Sequence, residues 1–173
     1  FVGNDMIDTL LQHRERARAL NVPTRFGLEP RGYATLTLHR PSNVDDSVVF
    51  ERLLTAIAEI SREVPVVFPV HPRTRPSVLR SAAASSLVAD GRLRLLDPLG
   101  YLDFMGLMDA GAAVLTDSGG IQEETTILQV PCLTLRTTTE RPVTVTHGTN
   151  QIVGTDPAAI LAAWRNCDER TAA

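Results

Sequence analysis

The stretch Ala112-Ala113-Val114-Leu115-Thr116-Asp117-Ser118-Gly119-Gly120-Ile121-Gln122-Glu123-Glu124 decides the fold. A short apolar run, 112–116, reads as a buried strand. It breaks at a polar, glycine-bearing turn and passes straight into a helical pattern over 119–128. Working outward, the same alternation recurs. The spacing predicts a helix over 5–20, with Met6, Ile7, Leu10 and Leu11 on one face, then a loop with Pro23, Gly27, Pro30 and Gly32. Strands follow at 33–38, 66–70 and 93–96, separated by helices at 47–63 and 75–89. A short helix at 101–110 leads into the strand at 112–116. Beyond lie a strand at 131–135 and a last helix at 156–166. Apolar strands alternating with helices predict a parallel sheet covered on both faces. The expected fold is α/β: one Rossmann-like, doubly wound domain over residues 1–173.

Such sheets bind ligands at the carboxyl ends of their strands. The residues after each predicted strand are His39-Arg40-Pro41-Ser42-Asn43, His71-Pro72-Arg73, Asp97-Pro98-Leu99, Asp117-Ser118-Gly119-Gly120, and Arg136 with Thr137-Thr138-Thr139-Glu140-Arg141-Pro142. Polar and glycine residues therefore gather at one edge.

In Asp117-Ser118-Gly119-Gly120, a helix N-terminus offers unpaired N–H groups and partial positive charge to a phosphate. Glycine lets an anion approach the backbone. Glu124 lies one turn beyond Gly120 on the same face, where a carboxylate accepts from a vicinal diol. The plainer reading is an ordinary N-cap, with glycines that permit tight strand–helix packing. The spacing is not the GxGxxG dinucleotide fingerprint, so NAD is not expected. Arg40 and Arg141 suit a diphosphate. His39 suits a general acid or phosphate donor, and a histidine that merely closes the strand–loop turn is the alternative. His71 at the same edge is open to both readings. The two histidines lack a third ligand at metal-site spacing, so no metal is expected. Phe104 can be a core aromatic or pack on a base. His147-Gly148-Thr149-Asn150 can be a turn or cap the site.

Composition narrows the chemistry. All 17 basic residues are arginine. Without lysine there is no Schiff base and no Walker A motif. A net charge of −3 offers no basic field for nucleic acid. No stretch is long and apolar enough to span a bilayer. Cys132 and Cys167 make neither a disulfide framework nor a metal site, and fit a reducing cytosol. The chain starts at Phe1, so a piece of a longer protein is the expectation.

Leu38-His39-Arg40, Pro69-Val70-His71-Pro72, the run Leu115 to Glu124, and Thr138-Thr139-Glu140-Arg141-Pro142 stand together in an order and spacing that resemble the UDP-N-acetylglucosamine 2-epimerases of the non-hydrolysing type. Tyr101 to Phe104 after a Pro-Leu pair also fits. The resemblance runs from Gly3-Asn4 to Val153-Gly154. It implies the C-terminal, UDP-binding half of a GT-B architecture, with the family's N-terminal domain absent from this chain. The implied enzyme interconverts UDP-N-acetylglucosamine and UDP-N-acetylmannosamine without a cofactor, by eliminating UDP and adding it back. The N-terminal domain would supply most acid–base carboxylates, so the chain alone is expected to bind UDP weakly and not to turn over. Carried onto this sequence, Ser118, Gly119 and Gly120 hold the diphosphate, Glu124 the ribose, and Phe104 the uracil. His39, Arg40, His71 and Arg141 surround the phosphates, with His39 as the catalytic candidate at the leaving group. The parent is expected to be a cytoplasmic homodimer in cell-surface polysaccharide synthesis, with no nucleic-acid or membrane partner. Ser42 departs from the family's His-Arg-x-Glu-Asn phrase. A hydrolysing 2-epimerase and the donor domain of a GT-B glycosyltransferase are the competing readings.

Overall fold

The computed structural model describes residues 3–137 and 149–172. A six-stranded parallel sheet runs β1 (Ala34–Thr37), β2 (Val66–Pro69), β3 (Leu93–Leu96), β4 (Ala113–Thr116), β5 (Cys132–Thr134) and β6 (Asn150–Ile152), in spatial order β3-β2-β1-β4-β5-β6. Side chains alternate across each strand. Ala113 and Leu115 join the core on one face, while Val114 joins the other. Both faces are covered, which is why β2 (Val-Val-Phe-Pro) and β4 (Ala-Val-Leu-Thr) are almost wholly apolar.

On one face lie α4 (Ser47–Ile60), α5 (Arg75–Arg80), α6 (Ala82–Ala89) and α9 (Pro157–Ala172). The α4 core residues Phe50, Leu53, Leu54, Ile57 and Ile60 recur at helical spacing and are almost fully buried. Asp46 caps this helix by accepting from the N–H groups of Val48 and Val49. The indole of Trp164 donates to Glu63 at 2.6 Å, pinning α9 to the end of α4. On the opposite face lie α1 (Gly3–Ala19), α2 (Val22–Arg25), α7 (Tyr101–Ala110) and α8 (Gly119–Leu128). Arg14 and Arg18 of α1 both donate to the buried carboxylate of Asp109 on α7, at 3.1 and 2.8 Å. The remaining helix, α3 (Pro41–Val44), is a single turn after β1.

The structure departs from the sequence expectation in four places. The helix expected over 75–89 breaks at Ser81, whose extended backbone ends α5 and whose hydroxyl caps α6 by accepting from Ala84 N–H. The same hydroxyl donates to Glu51 at 2.7 Å, so the break is tied to α4. Asn150, expected in a turn or a site cap, instead opens a sixth strand, paired opposite Cys132. The single turns α2 and α3 lie in segments expected to be loops. The last helix continues to Ala172, beyond the expected end at 166.

Candidate functional site

The strand order reverses between β1 and β4. Connections leave these neighbours in opposite directions, which opens a crevice at their carboxyl ends. β1 and β4 pair in register from Ala34↔Ala113 to Thr37↔Thr116. Their next residues therefore meet across that crevice. Asp117, with no exposed surface, collects the loop after β1: its carboxylate accepts from the N–H groups of His39 at 3.2 Å and Arg40 at 3.0 Å, and from the Asn43 amide at 3.1 Å. His39 Nδ1 lies 2.9 Å from Asp117 Oδ1. In return Arg40 Nε donates to the Asp117 carbonyl at 3.0 Å. Burial alone would push this carboxyl up. The His39 and Arg40 bonds, the histidine charge and the Asn43 amide overcome that and hold it below its ordinary value.

Ser118 occupies the N-cap position of α8 with extended backbone, yet its hydroxyl makes no capping bond, and the first turn contains no acidic residue. Among the described residues, neither the Ser118 hydroxyl nor an acidic residue of the first turn caps the start of this helix. Gly119 is partly buried and Gly120 exposed. Neither has a positive φ. A Cβ built on Gly120 would meet nothing within 4 Å. Conformation and packing therefore place no demand for glycine at 120, and the tight-packing explanation fails there. A bare backbone at the start of a helix is what an approaching anion needs.

Gly120 and Glu124 line one cavity of about 390 Å³, with Tyr101 and Ile127 beside them and Thr9 and Leu10 of α1 opposite. Burial, and then the neighbouring Glu123, raise the Glu124 carboxyl above its ordinary value. Tyr101 also titrates high, from burial and from the charge of Glu124. The Tyr101 ring meets His13 of α1 edge-on, 5.5 Å between centroids. Phe104, one turn further along α7, is partly buried and packs against both apolar clusters on this face. Tyr101, not Phe104, lines the cavity.

His71 is exposed after β2 at the same edge, and its Nδ1 accepts from Arg73 N–H at 3.1 Å. That leaves Nε2 as the ring nitrogen that can face a ligand. Thr74 donates to the Leu38 carbonyl at 2.9 Å, tying the loop after β2 to the end of β1. A second cavity, about 300 Å³, lies on the other side of the crevice between Arg40, Ser42, Arg136, Thr137 and Thr155. Arg141, Glu140, His147 and Gly148 lie outside the described residues. Among the described residues no group of three His, Cys, Asp or Glu could hold a metal ion, and no helix is long and apolar enough to cross a membrane. Cys132 is wholly buried, which pushes its thiol up to about 12 and leaves it inert.

Sequence reading assigned no role to Asp117 or Tyr101. An acid ending an otherwise apolar strand was the available signal for Asp117. Tyr101 opens a helix otherwise half apolar, and nothing local marks it as cavity-facing.

The chain matches the family model described as UDP-N-acetylglucosamine 2-epimerase over residues 1–173. It is 37% identical over 175 residues to a UDP-N-acetylglucosamine 2-epimerase of Methanococcus maripaludis, covering 98% of this chain and 47% of that protein. It is 39% identical to a UDP-2,3-diacetamido-2,3-dideoxy-D-glucuronate 2-epimerase of Pseudomonas aeruginosa, covering 95% of this chain and 44% of that protein. The fold superposes with TM-score 0.84 on the Methanocaldococcus jannaschii UDP-GlcNAc 2-epimerase solved with UDP-GlcNAc and UDP, at 36% identity, covering 93% of this chain and 45% of the other. The chain thus spans about half the length of the relatives it matches. By sequence, by fold and by the crevice between β1 and β4, it belongs to the UDP-N-acetylglucosamine 2-epimerase family.

Proposed function

We propose that this chain is the C-terminal, nucleotide-binding part of an enzyme that interconverts UDP-N-acetylglucosamine and UDP-N-acetylmannosamine. One observation carries the reading. The Gly120 backbone, with open space beside it at the start of α8, shares a cavity with Glu124 one turn on, and we read the two as a phosphate site beside a diol site. Ser118, Gly119 and Gly120 hold the diphosphate through helix N–H groups. Glu124 accepts from the ribose hydroxyls. Tyr101 supplies the apolar side of the base site, and Phe104, one turn on in α7 and packed against the apolar clusters, supports that side. Arg40, His71 and Arg141 neutralise the phosphates.

In the reaction, a base removes the proton at C2 while the C1–O bond breaks, giving UDP and 2-acetamidoglucal. Re-addition of UDP, with protonation at C2 on the other face, yields the epimer. The phosphate oxygen that takes the bonding pair gains charge, so donors aimed at it lower the barrier. We assign His39 to that oxygen. The base at C2 belongs to the remainder of a parent about twice this length, which we expect to be a cytoplasmic homodimer. The Pseudomonas relative favours a second reading, the same elimination and re-addition on a diacetamido uronate nucleotide.

The test is an epimerisation assay of the whole parent protein, following exchange of the C2 proton with deuterium from solvent. Exchange with UDP-N-acetylglucosamine carries the proposal; exchange with the uronate nucleotide alone moves it to the second reading. No exchange with either sinks both.

A further inference from the structure

We propose that Asp117 is the positioning residue of a carboxylate–histidine pair, holding His39 as the Nδ1–H tautomer so that Nε2 is the atom His39 turns to the ligand. The part that concerns the ligand rests on the UDP reading above; the part that concerns the tautomer does not.

His39 Nδ1 and Asp117 Oδ1 approach to 2.9 Å, a distance at which two unprotonated acceptors would repel, so one of the two atoms carries a proton. An ionised carboxylate only accepts. Asp117 is surrounded by donors from the loop after β1: the N–H groups of His39 and Arg40 and the amide of Asn43. Protonation would weaken acceptance from all of these donors, which together with His39 hold the carboxyl below its ordinary value. The bridging proton therefore sits on the imidazole. The side chain of Asp117 is wholly buried, whereas that of His39 is half exposed. Nδ1 faces the buried partner, so the exposed edge of the ring carries Nε2.

The pair has a chemical consequence. A leaving UDP takes the C1–O bonding pair onto a phosphate oxygen. Nε2–H of the imidazolium donates to that oxygen, and the ionised Asp117 stabilises the imidazolium without taking its proton. With the opposite tautomer, Nδ1 would turn a lone pair toward the Asp117 carboxylate and the ring would lose its orientation.

The experiment is ¹⁵N–¹H long-range correlation of the imidazole nitrogens in this chain, in alkaline solution where the ring is neutral, with and without UDP. His39 is assigned by loss of its signals in His39→Gln. The expected result is Nδ1 protonated and Nε2 bare, with UDP moving the Nε2 resonance more than Nδ1. In Asp117→Asn the amide can donate to Nδ1, so the tautomer swaps to Nε2–H. The wild-type measurement decides even if that variant does not fold. Nε2–H in the wild type overturns the pair while leaving UDP binding intact. The predicted tautomer with UDP bound elsewhere, as judged by unmoved Nε2, overturns the role of Nε2. A correct tautomer in a chain that binds no UDP supports the pair and defeats the nucleotide reading instead.

Discussion

Arg40 and Asp117 clasp each other twice across the crevice: the Arg40 N–H donates to the Asp117 carboxylate at 3.0 Å, and Arg40 Nε donates to the Asp117 carbonyl at 3.0 Å. The ends of β1 and β4 are thereby tied together at the crevice. Removing the carboxylate strands several buried donors. We expect Asp117→Ala to lose about 3 kcal/mol of stability in urea unfolding, more than the typical substitution. A loss under about 1 kcal/mol would contradict the clasp.

The same carboxylate makes the fold acid-sensitive. Its folded pKa lies below its unfolded value. The stabilisation is therefore complete above the unfolded value and lost as pH falls through the folded one, below the ordinary carboxylate range. Relative to wild type, Asp117→Asn should flatten the acid limb of the stability profile, measured by thermal melts from neutral pH downward. Parallel acid limbs would show that Asp117 does not carry the effect.

Gly120 separates packing from binding. Because a Cβ there meets nothing within 4 Å and the φ is ordinary, Gly120→Ala should keep stability within about 1 kcal/mol of wild type or raise it slightly. UDP affinity should fall at least tenfold, because the methyl occupies the anion's approach. Calorimetry and a melt on the same sample check both. Unchanged affinity would return Gly120 to a merely permissive role.

Glu124 predicts a pH dependence of known sign. Burial raises its pKa in the free chain, and a diol that donates to the carboxylate binds the ionised form. UDP affinity should therefore fall as pH drops through a titration above the usual glutamate range. UDP lacking the 2′-hydroxyl should bind about tenfold more weakly at neutral pH. The phosphates titrate alike in both ligands, so the affinity ratio isolates Glu124 and should narrow in acid. A constant ratio would remove Glu124 from the ribose.

Much of this was legible in the sequence because it is local. The central strands are buried on both faces, so they read as apolar runs. Gly120 and Glu124 are one helical turn apart, so their shared face follows from geometry. What was hidden depends on distant partners. Asn150-Gln151-Ile152 has one apolar residue, and becomes a strand only because β5 offers it an open edge. Ser81 lies among good helix formers, and its role as a cap is supported by Glu51, 30 residues away. Asp117 meets His39 across 78 residues, a contact only the sheet order creates.

UDP binding in the crevice between β1 and β4 can be read residue by residue. Its most direct test is a ¹⁵N–¹H titration of this chain with UDP, with AMP and NAD as controls. Saturable shifts are expected at Ser118, Gly119, Gly120, Glu124, His39 and Arg40 with UDP, and much weaker ones with the controls. Shifts confined to another face, or equal response to all three ligands, would contradict it.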